Sequence, residues 1–153
     1  MFSNFMHRHV SVVHTGSRGL GASILGEQTS KYTNPYLEPE SPEFNSYLVE
    51  HDYAVKWAVA NRDLVAHRVR ECLYGPEHPD VVGVNLGKMI DVTHNSVTQH
   101  SVTVGDETQQ LWIHRKGAAP NNKGIVPCPG SRGDYTWLLQ PLGDGQLNGA
   151  CKS

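Results

Sequence analysis

Residues 111–136, LWIHRKGAAPNNKGIVPCPGSRGDYT, set the triplet His114, Arg115, Lys116 and the turn Pro129-Gly130-Ser131-Arg132-Gly133 on either side of a Pro/Asn/Gly-rich connection. Arg offers a rigid fork of donors, Lys a point charge, and Gly lets backbone N–H groups approach an anion without a Cβ in the way. Phosphate suits such a set. The Ser131 hydroxyl beside Arg132 makes the turn a candidate nest for phosphate or for a purine edge. The same composition is also that of an ordinary tight turn.

Two further histidines stand where a strand is expected to give way to a loop. His14 follows the β-branched run 9–13 and opens HTGSRG (14–19), which puts Ser17 and Arg18 beside the start of a predicted helix, a natural anion site. His94 lies in DVTHN (91–95), with Asp91 placed to fix its tautomer if the ring binds a metal. Taken singly, each also reads as a strand-end histidine bonded to backbone or as an Asx-type turn.

The elements that must position these residues are legible in outline. A short helix is expected over 20–28. A long one follows, capped by Ser41, with Pro42 in its first turn and Glu43 complementing its dipole. Phe44, Leu48, His51, Val55, Ala58, Arg62, Val65, Val69 and Cys72 recur on one face, and Gly75-Pro76 ends it. Arg62 on that stripe either marks an edge that meets solvent or points into a polar, anion-filled site, with Asn61 bordering it. Strands are expected at 81–84, 89–92, 97–104, 111–115 and 135–139, the third and fourth forming a hairpin around Gly105-Asp106. The fold class is therefore α+β, with one long helix packed on a mostly antiparallel sheet.

Composition narrows the function classes. A chain of 153 residues is the size of one domain. Its 15 Gly and 9 Pro imply many loops, and a net charge of −2 excludes a generally basic nucleic-acid coat, so anion binding must come from a local patch. No apolar run approaches the roughly 20 residues that cross a bilayer, and no secretory leader is evident in MFSNFMHRHVSVV. Cys72, Cys128 and Cys151 have no metal-ligand spacing, which points to a reduced, cytoplasmic chain.

In order along the chain, VVHTGSRGLG (12–21), the helix HD…WAVANR (51–62), DVTHN (91–95), WIHRKGA (112–118) and PGSRGDY (129–135) resemble the RtcB family. Its members are GTP- and manganese-dependent RNA ligases that join a 3′-phosphate or 2′,3′-cyclic phosphate end to a 5′-hydroxyl end. The short connection between the last two motifs is most similar to a branch associated with a release-factor-like partner protein.

This resemblance implies that His14 and His94 are ligands of the same Mn²⁺ and that Asn95 lies against the guanine nucleotide. It implies that Pro129, Gly130, Ser131 and Arg132 form the loop holding GMP, with Thr136 as a further nucleotide contact. Arg18, Arg115 and Lys116 would face RNA or phosphate, and Arg62 is counted with them. Neutral imidazoles suit manganese acting as a Lewis acid on GTP phosphates.

The pattern is incomplete. The family's Asp and Cys metal ligands and its Asn-His-Phe motif lie upstream of the matched region. The histidine that becomes guanylylated sits in a His-Gly-Ala-Gly-Arg motif after the PGS loop, where this sequence ends LNGACKS. The Lys that closes the nucleotide pocket is also missing. The expectation is one partial ligase domain over 1–153, an incomplete RtcB-like fold without its nucleophile and inactive as it stands. Two other readings compete: a non-catalytic guanine-nucleotide or RNA-binding module, and an unrelated metal hydrolase on His14 and His94 with Asp91 or Asp134.

Overall fold

The computed structural model describes residues 10–31, 36–82, 90–104, 106–122 and 124–141. Among these described residues it is a mixed α+β structure with two antiparallel two-stranded sheets. The helices are α1 (Leu20–Lys31), α2 (Pro42–Tyr74) and the single turn α3 (Pro79–Val82). The strands are β1 (Ser96–Val104), β2 (Glu107–Arg115), β3 (Val126–Pro129) and β4 (Thr136–Leu139). The chain divides into two compact units, Met1–Tyr36 with Asp52–Val84 and Leu37–His51 with Asn85–Ser153.

In the first unit, Ser17 Oγ accepts the Gly21 N–H at 2.9 Å, which satisfies one of the open donors of the first turn of α1. Ala54, Ala58 and Val81 are its buried apolar residues among those described. The α2 helix ends where Gly75, at φ 85°, donates its N–H to Glu71 O at 2.8 Å. Of the run 81–84, expected as a strand, Val81 and Val82 instead lie in α3, both donating to His78 O, and residues 83–84 lie outside the described residues. Residues 10–13, also expected as a strand, form no regular element, and His9 lies outside the described residues.

In the second unit, Ser41 caps α2 as expected, its Oγ accepting the Phe44 N–H at 3.1 Å. Phe44 is buried and meets Trp112 edge-on, with ring centroids 5.0 Å apart. Such a pair contributes about 0.5–1.5 kcal/mol beyond area burial. His51 Nε2 accepts the Val97 N–H at 3.0 Å, tying the start of β1 to the same helix. The expected hairpin forms, pairing Ser96 with Arg115 through to Val104 with Glu107, so β2 begins earlier than the predicted 111. Of the expected strand 89–92, Met89 lies outside the described residues and 90–92 form no regular element.

The second sheet includes a strand not anticipated, β3, which pairs Val126 with Leu139 through to Pro129 with Thr136. Gly130 N–H donates to Tyr135 O at 3.1 Å. Hydrogen-bonding parity then falls on Cys128–Trp137 and Val126–Leu139, leaving Pro127 and Pro129 at positions that need no N–H toward β4.

Candidate functional site

Three loops carry the candidate residues. The first opens at His14. Asn61 Nδ2, from α2, donates to Gly16 O at 3.1 Å and to Thr15 Oγ1 at 3.3 Å. Arg62 Nη1 donates to Thr15 O at 3.3 Å. The backbone then turns through two left-handed residues, Arg18 at φ 51° and Gly19 at φ 96°. Arg18 is a non-glycine residue held where a Cβ is unfavourable, at a cost of about 1–2 kcal/mol. His14, Thr15, Arg18 and Asn61 line a cleft of about 440 Å³ whose remaining walls are Val12, Val13, Val65 and Val69. A guanidinium and an imidazole therefore share one apolar-walled recess at the entry to α1.

The second loop precedes β1 and is closed by the segment following β2. His94, half-buried, accepts the Ala118 N–H on its carbonyl oxygen at 3.0 Å. Asn95 Oδ1 accepts the Gly117 N–H at 2.8 Å, and Gly117 adopts φ 66°. The amide oxygen of Asn95 is thus committed to holding the loop. Arg115 is only 3% exposed. Its Nη1 donates to Thr98 Oγ1 at 2.8 Å and reaches His100 Nε2 at 3.4 Å. Burial pushes the Arg115 pKa down. Burial, and then the charge of Arg115, push that of His100 down as well. Lys116, the next residue, is exposed.

The third loop is the PGSRG turn. Besides the Gly130–Tyr135 bond, Asp134 N–H donates to Ser131 O at 3.0 Å and Tyr135 N–H to Asp134 Oδ1 at 3.1 Å. Gly133 adopts φ 85°. A Cβ on Gly130 would lie 2.6 Å from Tyr135 O, so this position excludes any larger residue. Pro129, Gly130, Ser131, Arg132 and Thr136 are all exposed.

His14, Arg18 and Arg62 thus belong to the first unit, and His94, Asn95, Arg115, Lys116 and the 129–136 loop to the second. Among the described residues, no three His, Cys, Asp or Glu side chains gather as a set that could hold a metal ion. His14 and His94 alone are an incomplete ligand set for manganese. No described helix is long and apolar enough to cross a membrane. Sequence reasoning did not foresee the grip of Asn61 and Arg62 on residues 15–16, nor that of His51 on β1. The signal available was an Asn-Arg pair on an otherwise apolar helical face.

A family model described as tRNA-splicing ligase RtcB matches residues 3–152. The chain belongs to the RtcB family. It is 40% identical over 131 residues to an Escherichia coli protein named RNA-splicing ligase RtcB2, covering 86% of this chain and 31% of that protein. It is 29% identical over 153 residues to the tRNA-splicing ligase RtcB of Nanoarchaeum equitans, covering 84% and 32%. The Pyrococcus furiosus tRNA-splicing ligase RtcB shares 31% identity over 160 residues, covering 85% and 16%. This RtcB-family chain therefore spans about a third of the length of the first two relatives. No solved structure matches it significantly.

Proposed function

We propose that the chain is the phosphate- and nucleotide-handling part of a GTP- and manganese-dependent RNA ligase. That enzyme would join RNA 3′-phosphate or 2′,3′-cyclic phosphate ends to 5′-hydroxyl ends in a reduced, cytoplasmic setting. The observation that carries this reading is the shared recess of His14 and Arg18 at the start of α1. A terminal phosphate is the RNA feature that a guanidinium beside a helix N-terminus binds best. Lys116 supplies a second exposed cation, and Arg132 with Ser131 a further contact for an anion, forming with Pro129, Gly130 and Thr136 the proposed GMP loop. Asn95 is the proposed guanine-side contact through its amide nitrogen.

His14 and His94 are proposed as imidazole ligands of Mn²⁺, the ion that would act as Lewis acid on the GTP phosphates. Two imidazoles alone do not complete the ligand set of such an ion. A release-factor-like protein is the proposed partner.

A direct test measures binding of a 3′-phosphorylated oligoribonucleotide to the chain and to its Arg18→Ala and Lys116→Ala variants. Binding should weaken in each variant and fall steeply with salt. Equal binding of 3′-phosphorylated and 3′-hydroxyl RNA would sink the phosphate assignment. The chain incubated with Mn²⁺ and labelled GTP should not become guanylylated. The exposed turn at 129–133 favours, as second reading, a guanine-nucleotide or RNA-binding module without catalysis, and GMP binding lost on Arg132→Ala in a chain that never ligates would support it.

A further inference from the structure

Residues 10–16 pair with no strand among the described residues, and the two residues at 18 and 19 are left-handed. Ser17 fixes only the side of the loop that faces α1, by accepting the Gly21 N–H. The side that carries His14 has a restraint from α2. Two half-buried polar side chains in the middle of α2 provide it. Asn61 holds Thr15 Oγ1 and Gly16 O, and Arg62 holds Thr15 O, across 45 to 47 residues of sequence. A main-chain carbonyl can only accept, and a guanidinium can only donate. The Arg62 bond has a cationic donor and the Asn61 bonds a neutral one.

We propose that Asn61 and Arg62 are positioning residues. By holding the carbonyls of Thr15 and Gly16 they fix the backbone from which His14 and Arg18 reach their common cleft. This rests on the reading of that cleft as the site for an RNA terminal phosphate. Arg62 in this role serves the loop rather than the RNA. The helix α2 then transmits its own rigidity to a segment that forms no regular element of its own.

The test uses the 153-residue chain, ¹⁵N-labelled, as wild type and as Asn61→Ala, Arg62→Met, Arg62→Lys and Thr15→Val. Two quantities are read: the backbone order parameters of Gly16, Ser17 and Arg18, and the affinity for a 3′-phosphorylated oligoribonucleotide. In Asn61→Ala and Arg62→Met the order parameters should fall from about 0.85 toward 0.6. RNA binding should weaken by roughly tenfold while the melting temperature of the chain changes little, the loss being local. Arg62→Lys, still able to donate to Thr15 O, should restore most of both. Thr15→Val leaves α2 untouched and removes one of the two acceptors of Asn61, so the order parameter of Gly16 should fall, though less than in Asn61→Ala, which covers the case in which Arg62→Met does not fold. Order parameters unchanged in Asn61→Ala, Arg62→Met and Thr15→Val would overturn the proposal. So would failure of Arg62→Lys to rescue a loosened loop. A wild-type chain that binds no 3′-phosphorylated RNA would instead overturn the functional reading, while the order parameters still decide the grip.

Discussion

The tetrapeptide Gly-Ser-Arg-Gly occurs twice in this chain, at 16–19 and at 130–133, and the two copies are built differently. At 16–19 the serine hydroxyl caps a helix and the arginine is left-handed, while partners 45 or more residues away hold the preceding backbone. At 130–133 every described bond is local. Gly130, Ser131, Asp134 and Tyr135 bond one another, and among non-glycine residues no positive φ is needed. The same four residues therefore form a helix entry held by tertiary contacts in one place and a self-sufficient turn in the other. Composition sets what the tetrapeptide can offer an anion, and its neighbours set which shape it takes.

The largest contrast should come from adding one methyl group to each first glycine. Gly130→Ala drives a Cβ into Tyr135 O and should destabilise the β3–β4 turn by about 1–3 kcal/mol. Gly16→Ala meets nothing within 4 Å and should stay within about 0.5 kcal/mol of wild type, both read from denaturant midpoints. Serine truncation comes next. Ser17→Ala removes a cap and should cost about 1 kcal/mol. Ser131→Ala should leave stability within about 0.5 kcal/mol, since no hydrogen bond is made by its hydroxyl among the described residues. Equal losses at the two serines would break the comparison.

Arginine to glycine should change stability in opposite directions. Arg18→Gly relieves a left-handed Cβ and should raise stability by up to about 1 kcal/mol, even as phosphate binding is lost. Arg132→Gly only loosens the unfolded chain and should lower stability by about 0.5 kcal/mol. Thermal melts with RNA or GMP titrations separate the two effects.

The smallest effect is a control outside both loops. His100 has its pKa lowered in the folded chain, so the unfolded state takes up the proton first as pH drops. Stability should decline on acidification below the ordinary histidine value near 6.5 and level off once the folded-state value is passed. His100→Gln should flatten that decline without altering either Gly-Ser-Arg-Gly loop, as chemical shifts against pH would record.

What could be read beforehand follows the range of the interactions. The Ser41 cap, the Gly75 stop, the hairpin around 105–106 and the sharp turn at 129–133 are local, and each was legible in a handful of residues. Val81 and Val82 suggest a strand because they are β-branched, but the turn begun at His78 captures them. The strand β3 was hidden by its two prolines, which argue against a ladder unless both fall at positions with no N–H to give. At the candidate site, residue type alone nominates His14, Arg18 and Arg132. The grip of Asn61 and Arg62 could not, because periodicity places a residue on a face without naming what lies opposite. Arg115 shows the same limit. Its charge suggested an anion contact, while the fold buries it against Thr98.

The prolines of β3 have one more effect. At 127 and 129 the backbone points away from β4, so the outer border of this ribbon presents carbonyl oxygens with no amide hydrogens between them. A foreign chain laid alongside would find only half of the bonds it needs, and stacking into extended aggregates from that side is disfavoured. A segment whose β4 side chains Trp137 and Leu138 are 62% exposed thus carries its own brake on self-association.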